Sequence, residues 1–129
     1  MQLSKQLLFS LLGVIFWFLG AMIVRFLGET VFTGHNPYLI IFYLFCFPLG
    51  YLFLLVIKHV GKVENKDIFR PVVIATFTAM FCDGIALAWF HSLYSSNLEI
   101  ALHGAAAILW GGAAGLFIGH ILTNKRQIN

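Results

Sequence analysis

Asp83 stands inside "AMFCDGIALAWF" (79–90), a run that is otherwise almost wholly apolar. An uncompensated charge in such surroundings is costly, so the carboxylate must pair, face water or hold a proton. Paired with Arg25, the basic residue inside the first apolar run, it forms an intramembrane ion pair that fixes how two helices pack. Unpaired, it is the kind of group that couples a carrier to protons or cations, or a protonated acid with Arg25 reaching out to the surface. Glu99 and His103, spaced i and i+4, share a helix face and with His91 make three metal-ligating groups. No paired motif such as HxxxH accompanies them. His59 and His120 each fall in the last turn of an apolar run, a pair that could ligate a haem. Histidine is equally favourable at helix C-termini for electrostatic reasons alone, and no cofactor is expected. His35 joins His91 and His103 at the opposite end from His59 and His120. No GxSxG, HExxH, P-loop or dinucleotide-binding glycine pattern occurs, so the expectation is a protein that is not an enzyme.

The elements that carry these residues follow from composition. Of 129 residues, 60% are hydrophobic and only 10% charged, against about 25% charged in a soluble domain. Lipid is the solvent such a chain fits. A helix needs about 20 apolar residues to cross a bilayer core, and four segments supply them, at 6–27, 38–57, 71–93 and 98–122. The alternating pattern of a β-barrel is missing. The expectation is an all-α integral membrane four-helix bundle, with 1–129 as a single transmembrane domain. The first segment is longer than a signal-peptide core and lacks an A-x-A site, so it is read as a retained span. The linkers are short, "YSSNLE" reading as a tight hairpin, which makes successive helices antiparallel.

Charge placement gives the orientation. Lys5, Lys58, Lys62, Lys66, Arg70, Lys125 and Arg126 all fall on one side of this arrangement, and the opposite loops carry Glu29 and Glu99. Basic loops stay in the cytoplasm, so both termini and the middle loop are expected there. These cations need no nucleic-acid partner to explain them, although they suit anionic lipid head groups. Cys46 and Cys82 lie in apolar runs without CxxC spacing and read as small hydrophobes.

Two features concern packing. Ala107, Gly111, Gly115 and Gly119 repeat every four residues, a stripe that lets another backbone approach, from this chain or from another subunit. Pro48 and Gly50 in "FCFPLGY" interrupt the second span and mark a kink, either for simple fit or as a hinge beside a cavity.

"RFLGETVF" at 25–32, "CDGIALAWFHSLYSSNL" and "AAAILWGGAAGLFIG" resemble a family of small bacterial four-span integral membrane proteins of unknown function, over about residues 10–120. Arg25, Gly28, Asp83, Asn97, Leu98 and Trp110 are the matching positions. "AMFCD" stands where that family often has Pro-Gly before the Asp, and Gly111–Gly112 where it usually has Tyr-Gly. The resemblance implies a bacterial plasma-membrane location and lends no activity. The functional expectation ranked first is a small accessory or structural subunit of a membrane complex, in contact with lipid and with a membrane-protein partner or a second copy of itself. The runner-up is a small oligomeric proton- or cation-coupled transporter or channel using Asp83. A haem- or metal-binding membrane protein using the histidines comes third.

Overall fold

The computed structural model describes residues 2–33 and 36–128, so His35 lies outside the described residues. Four helices make the fold: α1 (Leu3–Val31), α2 (Pro37–Gly61), α3 (Phe69–Trp89) and α4 (Leu98–Ile128), with short 3-10 turns at Asn65–Asp67 and His91–Leu93. All four are long and apolar enough to cross a membrane, and no strand occurs among the described residues. The outer surface is apolar, with Phe26 78%, Phe81 70% and Trp89 74% exposed.

Local chemistry sets the helix ends. The Asn36 Oδ1 accepts the Tyr38 N–H at 2.9 Å, and Pro37 fills the first position of α2, where its missing N–H costs nothing. The Asn97 Oδ1 accepts the Glu99 N–H at 2.9 Å and so caps α4. At the end of α2, Lys62 takes a left-handed conformation (φ 52°) and its N–H returns to the Lys58 carbonyl. The neighbouring Gly61 serves a different need, because a Cβ there would meet the Phe9 ring at 2.5 Å.

The helices run up, down, up, down. Phe9 of α1 meets Gly61 of α2, Phe32 just past the end of α1 packs edge-on against Phe42 of α2 at 5.1 Å, and Gly28 of α1 abuts Ile100 of α4. The Thr123 hydroxyl of α4 donates to the Asn65 carbonyl at 3.4 Å. Around the bundle the order is α1, α3, α4, α2, with α2 and α3 facing each other across a diagonal they scarcely bridge. One core cluster gathers around Phe9, Leu54, Ile57 and Val72 near the basic end. A second gathers around Val24, Phe32, Ala86, Tyr94 and Ile100 near the other.

Three helices extend past the expected segments, and the third falls short. α3 ends at Trp89 rather than at 93. The segment "YSSNLE" is therefore only part of the connection, since the chain turns through His91–Leu93 before Asn97 starts α4. That missing turn of helix decides the geometry around Asp83.

Candidate functional site

Asp83 is 8% exposed. Its Oδ1 accepts a hydrogen bond from the Tyr94 hydroxyl at 2.5 Å, and the Tyr94 oxygen in turn accepts from the Trp17 indole N–H at 2.9 Å. The chain Trp17, Tyr94, Asp83 thus joins α1, the α3–α4 connection and α3. It exists because α3 stops early: beyond Trp89 the backbone folds back, and Tyr94 drops its wholly buried side chain into the bundle. Burial, with the Asp83 carboxylate beside it, pushes the Tyr94 phenol well above its ordinary range, so the phenol remains a protonated donor.

The expected ion pair is not formed. Arg25 is exposed, and its Nη1 donates to the carbonyls of Ser92 and Leu93 at 3.2 and 3.4 Å. No ion pair joins it to Asp83 among the described residues. The register explains this. Gly13 packs on Ala75 where α1 lies along α3, which brings Ala21 level with Asp83 and Arg25 near the last turn of α3. The carbonyls released where α3 ends are the nearer acceptors. Tyr94, which does meet Asp83, and Trp17, which bonds Tyr94, carry no mark in the sequence. The signals available were the polar cluster Ser95, Ser96 and Asn97, which marks a connection there, and the phenol of Tyr94, an apolar body with a polar tip that needs a partner when buried.

Asp83 lines a cavity of about 160 Å³ at the centre of the bundle. All four helices contribute, and Asp83 is the one charged residue on the lining among the described residues. Phe16, Trp17, Phe42 and Phe53 supply aromatic walls, with Phe16 and Phe53 stacked at 4.5 Å. Tyr94 also lines an outer hollow with Arg25, Glu29 and Ser95. Its side chain therefore stands between that hollow and the cavity.

The stripe on α4 faces its own chain. Ala107, Gly111 and Gly115 line the cavity, as does Gly50 on α2. A Cβ on Gly119 would lie 3.5 Å from Val72, on Gly111 3.8 Å from Cys46, and on Gly115 within 4 Å of nothing. The tightest approaches lie elsewhere: at Gly13 against the Ala75 backbone, Gly61 against Phe9, Gly104 against Val24 and Gly28 against Ile100. The sequence reading missed these because they stand singly rather than in a series. α2 is continuous through Pro48, and Trp110 of α4 donates its indole N–H to the Tyr43 carbonyl at 2.9 Å, about one turn before the proline. Of the expected hinge pair, Gly50 reaches the cavity wall.

The histidines are dispersed over other partners. Glu99 and His103 approach to 3.9 Å, and the His91 Nδ1 lies 3.3 Å from the Ser95 carbonyl. No group of three metal-ligating residues forms among the described residues. His59 is exposed at the end of α2. The His120 ring packs edge-on against Phe69, with its Nε2 3.0 Å from the Asn124 amide. The candidate haem pair His59 and His120 is thus two exposed side chains, one of them engaged with Phe69 and Asn124.

No curated protein and no solved structure matches this chain. One family profile matches residues 31–126, a stretch that includes Asp83, Tyr94 and the α4 glycines and begins after Trp17, Arg25 and Gly28. Over most of its length, then, the chain belongs to a family of unknown function (DUF5367).

Proposed function

We propose that this protein is a small proton-coupled membrane carrier that binds a cation at Asp83. It sits in a bacterial plasma membrane with both termini in the cytoplasm, the side to which its basic loops assign them. One observation carries the reading: a buried carboxylate lines the central cavity and is held by a neutral phenol rather than by an arginine. An arginine partner would neutralise the carboxylate permanently. A phenol leaves its charge open, and an open charge in apolar surroundings takes up a proton or a cation in turn. Tyr94, between the outer hollow and the cavity, is the side chain that must move for the site to open outward.

The accessory-subunit reading drew its positive support from the α4 stripe. Those residues face α2, α3 and the cavity of the same chain, so they call for no outside helix. The test is flux. The full chain, reconstituted in liposomes holding a pH-sensitive dye, should couple inward gradients of sodium, potassium or quaternary ammonium ions to proton efflux. Asp83→Asn should stay folded and lose that coupling, and Asp83→Glu should retain part of it. Wild-type flux from a folded Asp83→Asn variant would refute the proposal.

A further inference from the structure

We infer that the cavity takes a small aromatic or alkyl ammonium monocation, with its charge against Asp83 and its apolar body against the aromatic walls. The inference rests on the carrier reading for its biological sense. The composition of the lining, set against the classes of ligand, supports it separately.

No cationic residue lines the cavity among those described, so an anion would find no counter-charge. A sugar or nucleotide needs an array of donors and acceptors. Here the Trp17 N–H is committed to Tyr94, and the Tyr94 hydroxyl to Asp83. A hard metal cation needs six or more oxygen ligands or several retained waters. The lining offers the Asp83 carboxylate and the Thr76 hydroxyl in an otherwise apolar wall. An ammonium ion carrying carbon substituents needs neither. Its charge is spread over apolar groups, it is attracted by aromatic faces, and one carboxylate neutralises it.

Size narrows the class. An engineered apolar cavity of about 150 Å³ holds benzene, and this cavity is about 160 Å³. That encloses one ring and leaves the ammonium head to the open side of the cavity, and it excludes a tetra-aryl cation. The space exists because α4 presents glycine there: a Cβ on Gly115 meets nothing within 4 Å.

Calorimetry on the full chain in nanodiscs of zwitterionic lipid tests this, with benzyltrimethylammonium as probe. Saturable one-to-one binding is expected from the wild type. The neutral isostere neopentylbenzene and the bulky tetraphenylphosphonium should show only lipid partition, a comparison that needs no variant. Asp83→Asn should weaken binding by about tenfold or more, which is about 1.4 kcal/mol. Gly115→Leu, which fills the cavity from an uncrowded position, should abolish it. No saturable binding, equal binding of the neutral isostere, or preference for tetraphenylphosphonium would overturn the inference. Asp83-dependent proton coupling to sodium or potassium without benzyltrimethylammonium binding would overturn it and leave the carrier reading standing. Binding of the probe without any coupled flux would sustain the inference and defeat the carrier.

Discussion

The Tyr94 hydroxyl and the Asp83 carboxylate, 2.5 Å apart, close a hydrogen-bond chain that begins at the Trp17 indole. Tyr94→Phe keeps the ring and removes both the donor to Asp83 and the acceptor for Trp17. A buried polar group left without its partner costs about 1–3 kcal/mol, so the variant should unfold at lower temperature or denaturant concentration. Its alkaline behaviour should also differ. The phenol holds its proton more tightly in the folded state than at its reference value of 10.0. Its contribution is therefore complete below that value and is lost as pH rises above it. Thermal unfolding scanned across that range should show the wild type losing stability more steeply than Tyr94→Phe. Parallel losses in the two proteins would remove Tyr94 from the account.

Arg25 and Asp83 should behave as independent residues. Arg25 holds backbone carbonyls at the end of α3, and Asp83 holds a phenol. In a double-mutant cycle, Arg25→Gln and Asp83→Asn should add to within about 0.5 kcal/mol in chemical denaturation. Rescue of either single variant in the double would mean that the two charges meet in the membrane.

The four helices were legible because lipid demands long apolar runs, and such runs survive any local ambiguity. Asp83 was legible for the converse reason, as the charge that breaks one of them. Its partner was not. The pairing with Tyr94 depends on α3 ending at Trp89, one turn earlier than hydropathy suggests, because Phe90 and Leu93 keep the profile apolar where the backbone has left the helix. The cavity was illegible for a related reason. A small-residue repeat announces that side chains are missing on one face, but not whether a helix or a void fills the space. Gly115 and Gly13 look alike in sequence and meet opposite surroundings.

The threading can be checked by labelling. With Cys46 and Cys82 replaced by alanine, a cysteine at Asn65 or at Thr123 should react with an impermeant thiol reagent only from the cytoplasmic face. These two positions lie together at the basic end, joined by the Thr123 hydrogen bond to the Asn65 carbonyl. A cysteine at Ser96, in the connection at the opposite end, should react only from outside. Reaction of positions 65 and 96 from the same face would dismantle the up-down-up-down arrangement and the orientation drawn from the basic loops.

The glycines should separate into two groups under alanine substitution. At Gly13 the added methyl meets the Ala75 carbonyl oxygen and, at 2.9 Å, the Thr78 Cβ. Backbone cannot yield as a flexible side chain does, so α1 and α3 must move apart along their main contact. Overpacking of this kind costs about 1–3 kcal/mol, and Gly104→Ala, whose methyl would meet Val24 at 2.5 Å, should fall in the same range. At Gly115 and Gly20 the methyl enters open space. Alanine is also the better helix former by about 1 kcal/mol, so Gly115→Ala and Gly20→Ala should be neutral or stabilising. Denaturation of all four variants in one detergent decides the matter. If Gly115→Ala destabilises as much as Gly13→Ala, a helix occupies the space beside α4. The stripe would then be a packing surface, and the cavity that carries the ammonium site would not exist in the membrane.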